Sequence, residues 1–255
     1  KLSRRNYPMK IVLSPSKTKT ITTVGNDGAV HSAVQDGRFQ LHITQDIIKH
    51  VQSLDVAALG KALKLKADKA QTLFDFYQDF ESHPVGHACE SYDGIAFKYL
   101  DWQNLSDEAK AFGESHLVVM SALYGVVEPM MGVRDYRLDM VDKVGINLYD
   151  TWREAVDAYF HKEDWILNLA SKEYAKMVNH PKVVTVEFWE LRGDAFKQMS
   201  TSSKMSRGMM AHECLTRQVK HVRDLPREVN GFTCVTDIDS ITIPSESMTV
   251  RYERK

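Results

Sequence analysis

What the chain lacks narrows its chemistry first. Its three cysteines (Cys89, Cys214, Cys234) lie far apart and form no Cys-x-x-Cys, which argues against a disulfide framework and a structural zinc site and favours a reducing compartment. No Gly-x-Gly-x-x-Gly or Gly-x-x-x-x-Gly-Lys-Ser/Thr loop is present, so neither glycine-rich way of cradling a nucleotide applies. The Ser/His/Asp orders of the hydrolases and a paired-carboxylate motif are missing too. No charge of one sign dominates: the formal net charge is −1. That value does not advertise nucleic acid, but recognition depends on where the cations sit rather than on their sum. The basic lead Lys1 to Pro8 has no apolar region of about 7–15 residues behind it and is not read as a signal peptide. Residues 1–8 are expected to be a disordered lead or tag remnant before a natural start at Met9, and residues 9–255 a single domain.

What is present fits an α/β fold with helix and strand mixed (α+β mixed): a mixed sheet flanked by helices. With 255 residues and 43% hydrophobic content, the chain can bury about 75% of its unfolded surface and needs no staples. The central stretch is Ser121 to Met140. It follows the apolar run His116 to Met120, read as a buried strand, and Gly125, Pro129 and Gly132 mark it as loop. Between apolar anchors it carries Tyr124, Arg134, Tyr136 and Arg137, and is read as a packed loop holding two guanidinium groups against a cleft. The alternative is surface pairing of these arginines with Asp135, Asp139 or Asp142.

Met9 to Leu13 reads as a strand ending in Ser14-Pro-Ser16-Lys17-Thr18, whose hydroxyls, amides and cation suit an oxyanion, or which is an ordinary strand-end turn. Irregular strands or a hairpin are expected between Thr20 and Leu41. From about Asp46 to Glu81 three apolar stripes at helical spacing follow. Lys61, Lys64, Lys66 and Lys69 surround the junction of the second and third, either as phosphate contacts or as a solvated face. His83, His87 and Cys89 lack metal-ligand spacing, and no metal or cofactor is expected. Tyr149 to His161 reads as a helix and Trp165 to Leu169 as a strand, with Ser171 as N-cap of the next helix. Lys182 to Leu191 is a further strand, and a helix with Lys204 and Arg207 near its start is expected to run from Ser200 through about Val222. Between Arg192 and Arg227 there are eight Lys/Arg against three Asp/Glu, 8 − 3 = +5, the basic part of a neutral chain. Phe232 to Thr236 and Met248 to Tyr252 close it as strands, the last bearing Arg251.

Ligands of open α/β sheets lie outside the carboxyl ends of strands. If the strands from Met9, Leu117 and Trp165 are parallel, their loops converge. Ser14, Ser16, Lys17, Tyr124, Arg134, Tyr136, Arg137, Asn168, Ser171, Lys204, Arg207 and Arg251 then form one basic, hydroxyl-rich cleft for a polyanion or nucleotide.

Ile11 to Thr18, Ser121 to Val127 with Pro129, Tyr136 to Met140, Leu148 to Trp152, Asn168 to Tyr174 and Ser206 to Met210 together resemble, in order, the motifs of the YaaA family of bacterial peroxide-stress proteins. The resemblance implies a cytoplasmic single-domain α/β protein that binds double-stranded or distorted DNA through a positively charged cleft and a helix-hairpin-helix element, and that limits oxidative damage linked to intracellular iron. The hairpin maps to Leu63–Ala70, a segment without glycine, so Lys64, Lys66 and Lys69 would make its phosphate contacts. A monomer with no membrane partner is expected. A binding protein is favoured over an enzyme; the alternative is an enzyme acting on a nucleotide or DNA base in the same cleft, glycosidase-like or base-modifying, for which acidic groups such as Asp93 or Glu173 beside the cations would speak.

Overall fold

The apolar runs become strands because β-branched and aromatic side chains buried on both faces suit a parallel sheet. The computed structural model describes residues 8–22 and 41–255. The segment expected to hold irregular strands or a hairpin lies mostly outside the described residues, as does the basic lead up to residue 7. The first strand, β1 (Met9–Leu13), is central. It pairs in parallel with β3 (Leu117–Ser121) on one side and β6 (Trp165–Asn168) on the other. The parallel series continues through β7 (Val183–Arg192) to β11 (Met248–Arg254). Short antiparallel strands flank the parallel series: β4 (Gly125–Val127) beside β3, β8 (Ala195–Lys197) against the end of β7, and β10 (Phe232–Cys234) then β9 (Glu228–Val229) beyond β11. A small separate ladder joins β2 (Gly86–His87) to β5 (Gly132–Val133).

Three helices follow the described N-terminal strand and loop: α1 (Leu41–Gln52), α2 (Val56–Leu63) and α3 (Ala67–Gln78). The stripe Ile47, Ile48 and Val51 faces the core, and the Thr44 hydroxyl donates to Leu123 O at 2.9 Å. Asp55 caps α2 by accepting from the Ala58 amide at 2.7 Å. With no glycine available, Lys64 itself takes the left-handed conformation at the end of α2 (φ 53), a strained choice for a residue with a Cβ. Then come α4 (Ala88–Ser91), α5 (Ile95–Leu100), α6 (Asp107–His116) capped by Ser106, α7 (Leu148–Phe160), the single turn α8 (Lys172–Ala175) and α9 (Ser200–Thr216). Helix α7 docks through Trp152, whose indole N–H donates to Ala122 O at 2.8 Å.

Two local expectations are corrected. The stretch after Met120 is not all loop: Gly125, at φ 74, lets the chain fold straight back as β4, because a left-handed turn residue matches the twist of a hairpin. The helix from Ser200 stops at Thr216 rather than near Val222, and Gln218 follows in a left-handed conformation (φ 51).

Candidate functional site

The carboxyl ends of β1 and β6 lie side by side, and the chains leaving them are tied together. The Ser171 amide donates to Ser14 Oγ at 2.8 Å, and Ser14 Oγ stands 3.2 Å from Ser171 Oγ. Above this junction is a cavity of about 510 Å³, within the range of small-ligand sites. Its floor is Leu13 to Thr18, and Leu169 with Ser171, Glu173 and Tyr174 forms one side. The other side is Gly94 to Phe97 from the start of α5, closed by Lys204 and Arg207 of α9.

Two glycines allow these walls to meet. A Cβ on Gly94 would stand 2.3 Å from Ser16 Oγ, and one on Gly208 would stand 2.1 Å from Ala96 O. Gly208 thus brings α9 against α5 and sets Arg207 at the cavity.

The cavity has a cationic end and an acidic end. Arg207 is half-buried, yet its Nε is sealed and has no hydrogen-bond partner among the described residues. Burial holds its guanidinium below the ordinary arginine range, and Glu187 is the acidic group that opposes the shift. Lys204 is exposed beside it. At the other end Lys17 Nζ pairs with Asp139 Oδ2 at 2.7 Å, and the Tyr174 hydroxyl donates to Asp139 Oδ1 at 3.1 Å. Glu173 Oε1 is buried without a partner among the described residues. Burial pushes the Glu173 carboxyl above the usual carboxylate range, with the Asp139 charge adding to it and the Met140 and Val141 amides opposing it.

The cavity therefore gathers Ser14, Ser16, Lys17, Ser171, Lys204 and Arg207 of the expected set. It does not include the residues expected from the central loop, because β4 folds over the carboxyl end of β3. Arg134 is a strut rather than a cleft cation: its Nε donates to His83 O at 3.0 Å, its Nη2 donates to Glu81 O at 3.1 Å and pairs with Glu81 Oε2 at 2.9 Å, and it lies over the Phe80 ring. Tyr124 accepts the Arg134 amide, and Tyr136 joins Tyr92 and Ser121 in a buried hydroxyl chain. Arg137 is partly buried and outside the cavity lining; its carbonyl accepts from the Tyr77 hydroxyl. Asn168 is spent within the sheet, accepting from the Ala170 amide and donating to Thr185 Oγ1. Arg251 stacks on Trp189 at 4.6 Å and pairs with Glu253. Ser171 stands at the N-cap position of α8, but its side chain makes no capping bond and the helix is one turn long, so it supplies a hydroxyl rather than a helix end.

Lys64, Lys66 and Lys69 are all exposed around the turn joining α2 to α3, away from the cavity lining. His83 stacks on Phe76 while His87 faces Glu90 at 3.4 Å, so the cluster read for metal spacing is split between two environments. Two lining features carried no legible signal. Asp139 looked only like a counterion for the nearby arginines, and Gly94 to Phe97 reads as a plain turn.

A family model described as peroxide stress protein YaaA matches residues 9–235. A UPF0246 protein of Finegoldia magna is 30% identical over 233 residues, covering 89% of this chain and 90% of its own length. One from Rickettsia peacockii is 31% identical over 181 residues, 67% of this chain and 73% of its own. Another from Fusobacterium nucleatum is 24% identical over 238 residues, 90% and 95% respectively. The chain belongs to the YaaA family of peroxide stress proteins.

Proposed function

We propose, with that membership as premise, that this is a cytoplasmic DNA-binding protein of the peroxide response, limiting iron-linked oxidative damage by holding duplex or distorted DNA. The observation that carries the reading is Arg207: a half-buried arginine whose Nε is sealed and has no partner among the described residues, lining a cavity together with the Ser14, Ser16 and Ser171 hydroxyls and Lys204. A buried cation leaves its hydrogen bonds unmade at a cost, and a phosphate oxygen would supply the missing acceptor. The cavity takes one phosphate-bearing nucleotide, and Lys64, Lys66 and Lys69 at the α2–α3 turn meet flanking backbone as a helix-hairpin-helix does. Among the described residues no helix is long and apolar enough to cross a membrane.

The test is fluorescence anisotropy of a labelled duplex at two salt concentrations. Replacing Lys64, Lys66 and Lys69 together with Ala should flatten the slope of log K against log salt by up to about 0.9 per lost phosphate contact. Arg207→Lys, which keeps a charge and loses the fork, should weaken binding by about 1–3 kcal/mol at either salt. Absence of duplex binding at low salt, or binding indifferent to both changes, refutes the reading. A second reading, turnover of a nucleotide or DNA base in the same cavity, is favoured by one observation: the Glu173 and Asp139 carboxyls at its acidic end.

A further inference from the structure

The acidic end is hard to explain if the cavity only binds polyanion, because carboxylates repel phosphate. The cationic and acidic side chains of the lining come from different elements: Arg207 and Lys204 from α9, Asp139 from the stretch after β5 and Glu173 from α8. A nucleotide whose phosphate meets Arg207 and Lys204 therefore presents its sugar and base to Glu173 and Asp139. The two carboxyls differ in environment. Asp139 pairs with Lys17 Nζ and accepts a hydrogen bond from the Tyr174 hydroxyl. Glu173 lies beside Tyr174 in sequence with one oxygen buried and unpartnered, and burial shifts its carboxyl upward from the usual value. Two carboxyls lining one cavity, one partly buried with an unpartnered oxygen and one ion-paired, are the arrangement from which glycosidic bonds are cleaved by an acid and a carboxylate.

We propose that Glu173 and Asp139 form an acid and carboxylate pair that hydrolyses the N-glycosidic bond of a nucleotide held by its phosphate in this cavity. The inference rests on the phosphate assignment of the preceding subsection and goes beyond it by giving the site a reaction. Glu173 donates its proton to a ring nitrogen of the base as the bond from C1′ to the base breaks, and the bonding electron pair leaves with the base. The Asp139 carboxylate stabilises the positive charge that develops on the sugar. Water then bonds to C1′ and returns a proton to Glu173. One water is consumed, a free base and a sugar hydroxyl are produced, and no redox partner is required.

The experiment incubates the full chain with duplex oligonucleotides that carry a single guanine, hypoxanthine or 8-oxoguanine at a fixed position. Released base is measured by chromatography, strand scission at the resulting abasic site by gel, and binding of the same duplexes by anisotropy. Wild-type protein should release at least one of these bases. Glu173→Gln should bind equally well and lower release by about 100-fold or more, as expected for loss of a general acid. Glu173→Asp, which retracts the acid by one methylene and keeps its chemistry, should lower release less than Glu173→Gln does. Asp139→Asn should slow release with circular dichroism unchanged. Binding without release of any base by the wild type overturns this proposal and leaves the phosphate assignment standing. Release that survives Glu173→Gln also overturns it. Failure of the wild type to bind any of the duplexes overturns the phosphate assignment itself.

Discussion

Gly208→Ala is the substitution in which packing and local propensity most directly oppose each other. In an exposed helix interior, glycine to alanine stabilises by about 1 kcal/mol, because alanine loses less conformational freedom on folding. At this position the new methyl would stand 2.1 Å from Ala96 O, 2.9 Å from Ala96 C and 3.0 Å from Tyr99 Cβ. Ordinary contacts between carbon and such atoms begin near ~3.4 Å, so α9 and α5 must part by roughly 1 Å. The two nearest obstructing atoms are Ala96 backbone and cannot rotate away. Overpacking of this kind costs about 1–3 kcal/mol, more when two backbones must move, which exceeds the propensity gain. The net expectation is a destabilisation of about 1–2 kcal/mol in urea denaturation at unchanged m. The displacement falls between the walls that carry Ile95 to Phe97 and Arg207, so DNA affinity should fall beyond what the lost stability explains. A Gly208→Ala protein as stable as the parent, or more so, would refute the close approach on which the cavity's shape depends.

Two further perturbations probe other parts of the molecule. Arg134→Met removes the contacts to the His83 and Glu81 carbonyls while Glu81, exposed in its side chain, can return to water; a loss of about 2 kcal/mol in stability with duplex affinity unchanged is expected, and a selective loss of affinity would restore Arg134 to the binding surface. Lys19 is buried with its Nζ 2.6 Å from Tyr136 O and 4.1 Å from the Tyr136 ring centre, and burial lowers its pKa to about 8. Because its folded pKa lies below the unfolded value of about 10.4, the unfolded chain binds more protons between those values and the group's penalty is relieved as pH rises. Stability of the parent relative to Lys19→Met should thus climb by about 1–2 kcal/mol from pH 7 to pH 9.5 in urea melts, and a flat difference would contradict the buried, charge-averse placement.

Much of the architecture could be read from local pattern because its signals are local. Met9 to Leu13, Leu117 to Met120 and Trp165 to Asn168 are apolar runs bounded by breakers, and their shared direction followed from expecting polar loops at strand carboxyl ends. The stripes Ile47 to Val51 and Leu73 to Tyr77 marked helices by period alone. Four of the six expected residues that line the cavity, Ser14, Ser16, Lys17 and Ser171, follow strands closely, whereas Lys204 and Arg207 reach it from within a helix. What failed depended on distant partners. Arg134 looked free because its acceptors, Glu81 and His83, lie 53 and 51 residues away. Tyr136 was misread because the hydroxyls of Ser121 and Tyr92 that claim it come from separate segments. Strands as short as β4 carry too few residues to show a period, and nothing near Gly208 in sequence discloses that a carbonyl from α5 fills the space where its side chain would be.

The central claim, that Arg207 waits for a phosphate, has a direct spectroscopic test. The side-chain Nε–H of Arg207 can be observed in a 15N-labelled sample and assigned by its disappearance in Arg207→Lys. Titration with unlabelled duplex DNA should move this resonance downfield, saturating with the anisotropy isotherm, as the unpartnered Nε–H gains a charge-assisted hydrogen bond. A spectrum in which duplex binding perturbs the signals of Lys64, Lys66 and Lys69 while the Arg207 Nε–H stays in place would contradict the account and move the DNA from the cavity to the hairpin alone.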